Sequence, residues 1–169
     1  MVIKNLISEF SKFIFDYEFI EKPSLYSNLL NGKEIRPIFT DKSGSIVGIW
    51  ERENNEIIVW IDSEGSPCNV FAKNINHFLE IMPYGPGFIY DYLSAIENHK
   101  LSPNLIPHPN RQFTIDFINE TYIRDRIDDE VLKNYSSWLN KYDLSIRKDP
   151  TSGIEKLIES LNFSTWFNS

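Results

Sequence analysis

A single cysteine, Cys68, stands in a chain of 169 residues, so no intrachain disulfide can form. That fits a reducing compartment. Cys68 lies in an apolar run, which predicts a small buried hydrophobe rather than a reactive thiol. No stretch approaches the ~20 consecutive apolar residues of a membrane-spanning helix. The N-terminal apolar pattern is interrupted by Glu9, Lys12 and Asp16, which speaks against the core of a secretory signal. The expectation is a soluble, cytoplasmic protein. Basic residues are also scarce: 17 Lys and Arg against 24 Asp and Glu, for a net charge of −7. An acidic surface repels nucleic acid and anionic membrane and attracts basic partners. There are no internal repeats and no low-complexity tracts.

What is present is ordinary globular composition, with 41% apolar, 14% aromatic and 24% charged residues. The length predicts one domain, large enough to bury a core without disulfides or metal. Its centre is the stretch from Ile46 to Tyr84. Ile46–Trp50 and Glu56–Ile61 are β-rich runs joined by the polar Glu51-Arg52-Glu53-Asn54-Asn55, the pattern of an antiparallel hairpin. Asp62-Ser63-Glu64-Gly65-Ser66-Pro67 makes a second turn, and Cys68–Ala72 returns as the next strand. Before them, Arg36–Thr40 reads as a strand that Pro37 confines to an edge or a first position. After them, Asn74 caps a helix whose Ile75, Phe78, Leu79 and Met82 form one stripe, and Pro83 stops it. The fold class is therefore α+β: an antiparallel meander of four or more strands packed against helices on one face.

The flanks read as helical. Ile3, Leu6, Ile7, Phe10, Ile14 and Tyr17 repeat at helical spacing. Ser24 caps a short helix, Leu25 to Leu30, ended by Asn31-Gly32. Phe88, Ile89, Tyr92, Leu93 and Ile96 mark a helix to about Asn98. Pro103, Pro107 and Pro109 then separate a core of about 1–98 from a helical C-terminal addition of about 111–169. Residues 113–123 fit strand or helix, and the reading leans to helix. Asp128 caps a helix carrying Val131, Leu132, Tyr135, Trp138, Leu139 and Tyr142, and Ile154, Leu157, Ile158 and Leu161 mark the last.

Catalytic signatures are absent. Cys68 with His77, His99 or His108 would need convergence from distant segments, and no nucleophile motif surrounds any of them. His77 and Glu80 share a helix face, but no third metal ligand lies near, so they read as a solvated face. Gly85-x-Gly87 follows a helix rather than a strand, so it is a turn and not a phosphate loop. The carboxylate pairs Glu51 with Glu53 and Asp62 with Glu64 lie in polar turns at opposite ends of one strand. No catalytic residue, metal or cofactor is assigned.

The runs Ile57-Ile58-Val59-Trp60-Ile61-Asp62-Ser63-Glu64-Gly65 and Val70-Phe71-Ala72-Lys73-Asn74-Ile75-Asn76-His77-Phe78-Leu79 have a recognisable order. It is an apolar strand, an acidic Gly-containing turn, a strand ending in a small residue, and a helix with an aromatic-Leu pair. In this the chain resembles the SUKH superfamily, which contains many bacterial toxin-immunity proteins. Pro37-Ile38-Phe39 and Ser45–Trp50 suit the earlier strands of that pattern. The early Leu-Pro dipeptide common in the family is missing, since the region reads Glu21-Lys22-Pro23-Ser24-Leu25. The resemblance covers little more than a quarter of the chain and stops before about Asn98.

The resemblance implies a non-catalytic immunity-type protein that binds and neutralises a cognate toxin, often a nuclease. Such a toxin is basic, and an acidic inhibitor complements it. On that reading Glu51, Glu53, Asp62 and Glu64 are charge contacts, and Trp50, Trp60 and Tyr84 are anchors. The alternative is a regulatory adaptor binding a host protein or a small ligand on the same scaffold. A third reading, an enzyme, needs Cys68, His77 and His99 brought together. The oligomeric state is open.

Overall fold

The hairpin of Ile46–Arg52 (β4) and Asn55–Ile61 (β5) lies inside a six-stranded antiparallel sheet whose strands follow one another in sequence order. The computed structural model describes residues 2–11, 13–109 and 127–169. Among them α1 (Val2–Phe10) precedes β1 (Phe13–Ile14) and β2 (Tyr17–Phe19), and a 3-10 segment (Pro23–Leu30) precedes β3 (Ile35–Thr40). After β6 (Cys68–Ala72) come α2 (Ile75–Ile81), a 3-10 turn (Met82–Tyr84) and α3 (Gly85–Leu101). The C-terminal helices are α4 (Asp129–Asn140), α5 (Ile154–Leu161) and α6 (Phe163–Phe167). The fold is α+β, with a meander packed against helices and a helical C-terminal region. Residues 113–123 lie outside the described part.

The N-terminal helix is shorter than its stripe. Helical spacing continues to Tyr17, but α1 ends at Phe10, and Ser11 takes a left-handed φ of 73°. Phe15 and Asp16 are both left-handed, at φ 49° and 70°, and they close a two-residue turn beneath the Ile14–Tyr17 pair. Two positive φ values in succession match the right-handed twist of a hairpin. Phe13, Phe15, Tyr17 and Phe19 also alternate, so the same residues satisfy a period of two.

Pro37 sits where β3 can accommodate it. Strand β2 pairs with β3 only at Phe39 and Thr40, and the β3–β4 register shifts between Pro37 and Phe39. The missing N–H of Pro37 therefore interrupts no full ladder. Opposite Pro37, Gly48 admits close approach. A Cβ there would stand 2.6 Å from Ile35 Cγ2 and 3.6 Å from Val59 Cγ2.

Helices cover both faces of the sheet, not one. Ile46–Trp50, Ile57–Ile61 and Cys68–Ala72 are buried at every position, whereas a sheet wet on one side would alternate. On one face Phe78 of α2 packs against Phe39, Phe71 and Tyr17 with ring centroids 5.6–5.7 Å apart. On the other, Trp50 meets Phe163 at 5.0 Å and Trp166 at 4.9 Å, both from α6. Helices α5 and α6 also pack along β6. The C-terminal helices thus complete the core. Among the described residues no helix is long and apolar enough to cross a membrane.

Candidate functional site

Strand β5 separates two acidic ends. Its seven residues span roughly 20 Å at about 3.3 Å per residue. Glu51 and Glu53 lie at one end, Asp62 and Glu64 at the other.

At the hairpin end the connection is tighter than the five polar residues suggest. Arg52 pairs with Asn55, and only Glu53 and Asn54 form the loop, both left-handed at φ 50° and 65°. Glu51 and Glu53 are exposed. Glu51 stands directly across from Glu56, a like-charge pair that opposes pairing. Arg36 offsets part of this by bonding Glu56 at 2.8 Å. The cleft beside them, about 410 Å³, contains Arg36 as well as Glu34 and Glu51, so its charge is mixed. Trp50 is buried, with the Arg52 guanidinium 5.2 Å from its ring centroid. Glutamate is a poor residue for a left-handed turn. Replacing Glu53 by Asn and Asn54 by Gly is expected to stabilise the fold by about 1 kcal/mol and raise Tm by roughly 2–4 °C in a calorimetric scan.

At the other end two turns are tied into one wall. Asp41 Oδ1 accepts from the Ser43 amide, the Ser43 hydroxyl and the Ser45 amide at 2.6–3.0 Å. The buried Ser45 hydroxyl donates to Asp62 Oδ2 at 3.1 Å and accepts from the Ser63 amide. Asp62 Oδ1 accepts from the Glu64 amide at 2.9 Å. These bonds explain why Asp62 is buried: its carboxylate holds the β3–β4 turn against the β5–β6 turn. Glu64 remains exposed.

Against this wall stands the start of α3, leaving a cleft of about 310 Å³. Asp41, Asp62 and Glu64 contribute carboxylates, and Trp60, Pro86 and Tyr90 contribute apolar surface. No basic residue lines it among the described residues, and none of the three acids has an ion-pair partner there. The hydrogen bonds to Asp41 and Asp62 come from neutral donors, so they fix these two carboxylates without cancelling their charge. Trp60 is a buried part of this wall, and Tyr90 is 43% exposed. Carboxylates beside aromatic rings suit a lysine ammonium or an arginine guanidinium. Among the described residues no His, Cys, Asp and Glu gather in a metal-holding group.

The structure therefore brings together three of the seven residues singled out from the sequence: Trp60, Asp62 and Glu64. It leaves Trp50, Glu51 and Glu53 at the far end. Tyr84 belongs to neither. It is buried and donates its hydroxyl to the Arg147 carbonyl at 2.6 Å, and burial pushes its pKa to about 12. As interface anchors, Trp50, Trp60 and Tyr84 would need exposed rings, but packing holds all three in the core. Asp41 and Tyr90 were not singled out. Tyr90 was visible as the aromatic off the Phe88–Ile96 stripe; Asp41 could be read only as a turn residue.

The remaining candidates are dispersed. Burial raises the Cys68 thiol to about 11, and its Sγ–H donates to the Gly65 carbonyl. No hydrogen bond joins it to a histidine among the described residues. His77 is buried rather than on a solvated face, and Glu80 bonds Arg147 at 2.9 Å. His99 and His108 stack edge to face at 5.0 Å, and His108 Nε2 bonds Glu155 at 2.6 Å. No protein family, curated protein or solved structure matches the chain.

Proposed function

We propose that the protein is a non-catalytic, immunity-type binder that neutralises a basic toxin by protein–protein contact. The observation that carries this reading is the acidic cleft at the turn end of the sheet. Its three carboxylates lack basic counterparts among the described residues, and Tyr90 beside them is accessible. A lysine or arginine of the partner would enter between Glu64 and Tyr90, with Asp41 and Asp62 behind. The net charge of −7 would speed the approach of a basic partner. The resemblance of Ile46–Tyr84 to the SUKH superfamily supports the same reading, and the β5–turn–β6–α2 order agrees with that pattern. Glu51 and Glu53 form a secondary contact at most, because Arg36 and Arg52 share their end of the molecule.

The experiment is capture followed by inhibition. The tagged protein is expected to retain a polymorphic-toxin C-terminal domain from its source lysate, and the purified pair to lack the toxin's activity at equimolar ratio. Retention of a housekeeping protein, or of a toxin domain that stays active, would overturn the proposal. The first of these results would favour the regulatory-adaptor reading.

A further inference from the structure

A second cleft, of about 430 Å³, lies between the start of α2 and α5 and shares no residue with the acidic one. Its character is opposite. Lys73, Arg147 and Lys156 line it together with His77, Ser152 and Ser160, and among the described residues no acidic one does. In a chain with seven more acids than bases, three cations gathered around one concavity are a marked local reversal.

Each group is placed by a separate part of the fold. Lys73 follows β6, directly before the Asn74 cap of α2. Arg147 is fixed by its Nε bond to Glu80 Oε2 at 2.9 Å and by its amide, which donates to the Glu80 carbonyl at 3.0 Å. Glu80 is not part of the lining. Lys156 lies in the first turn of α5. That helix starts after Gly153, at φ 82°, with no side-chain cap, and the acid of its first turn, Glu155, bonds His108 at 2.6 Å. Lys73 and Lys156 are exposed and have no ion pair among the described residues.

His77 supplies an independent observation. It is 4% exposed, and its Nδ1 accepts the Lys73 amide at 3.3 Å. Burial, with Arg147 and Lys73 nearby, lowers its pKa to about 4, so the ring is neutral at pH 7. A neutral ring that accepts at Nδ1 carries its proton on Nε2. That N–H has no acceptor among the described residues. A buried donor without an acceptor is costly, and because His77 lines the cleft its ring reports on charge placed there.

We propose that this cleft is a phosphate-binding site, taking the phosphate group of free phosphate or of a small phosphomonoester. Several oxygens are needed to engage the two lysines, Arg147 and the Ser152 hydroxyl together, and a phosphate has them. The volume leaves room for a substituent on the fourth oxygen.

The test follows the His77 imidazole ¹⁵N signals of labelled protein while inorganic phosphate, and separately phenyl phosphate, replace chloride at constant ionic strength. A saturable movement of Nε2 is expected. Tighter binding of phenyl phosphate would assign the site to esters, and equal binding to free phosphate. The variant Lys73→Gln/Lys156→Gln changes only exposed side chains and should keep the wild-type Tm without phosphate. Its affinity for phosphate should fall at least about tenfold. A signal that does not saturate, or equal affinity in the folded variant, would overturn the proposal. Neither result bears on capture of a toxin.

Discussion

Phe78→Ala is expected to cost about 3–5 kcal/mol of stability, read as a lower urea midpoint at unchanged slope. Phe78 is fully buried and is the common neighbour of Tyr17, Phe39 and Phe71, which come from β2, β3 and β6. Truncating it removes one ring from three contacts at once. The surrounding side chains are themselves aromatic and anchored on paired strands, so they cannot close the cavity without shifting the sheet. A cost that depends on how far a site can collapse therefore falls in the upper part of its usual range. A loss below about 1 kcal/mol would mean that α2 does not hold this face together.

The dependence on Phe78 was legible in the sequence. Asn74 reads as a cap, and its side chain accepts the His77 amide at 2.9 Å. The stripe of Ile75, Phe78 and Leu79 reads as a sheet-facing surface, and Asp128 likewise caps α4 by accepting the Glu130 amide. Local chemistry decides such features, so local sequence reveals them. What was hidden depends on distant partners. The strand runs Ile46–Trp50 and Ile57–Ile61 are apolar throughout, which is the mark of a strand buried on both faces. Which segment supplies the second cover cannot be read from the strands themselves. Here it is α6, more than a hundred residues after β4, placing Phe163 and Trp166 on Trp50. A tryptophan at a strand end thus looked like an interface anchor and is a core residue.

The N-terminus misleads for a different reason. Residues 13–19 fit both helical spacing and alternation, and the choice falls to Phe15 and Asp16, neither of which signals a left-handed turn as strongly as Asn-Gly would. At the candidate site, the acids of the β5–β6 turn were legible because turns are polar. Their meeting with Asp41 and Tyr90 was not, since it depends on two turns and the start of α3 converging. Nor does sequence show that the Asp62 carboxylate is taken up by Ser45 and the Glu64 amide while Glu64 stays exposed.

That division makes Glu64 the residue on which partner binding should turn. Glu64→Lys would place an ammonium in the cleft where the partner's own cation is expected. Like charges brought together at an interface cost several kcal/mol; allowing for exposure at this rim, about 2–3 kcal/mol is expected, or roughly a 30- to 150-fold loss of affinity. Because the side chain is exposed and only its amide bonds Asp62, the fold should persist. Glu51→Lys/Glu53→Lys makes a larger charge change at the other end of β5. If net charge alone attracted the partner, that variant would lose more. The measurement to make is titration calorimetry of the captured toxin domain against wild type and both variants at one salt concentration. A large loss confined to Glu64→Lys is the expected result. Undiminished affinity in Glu64→Lys, or a larger loss in the hairpin variant, would contradict the placement of the interface at the acidic cleft.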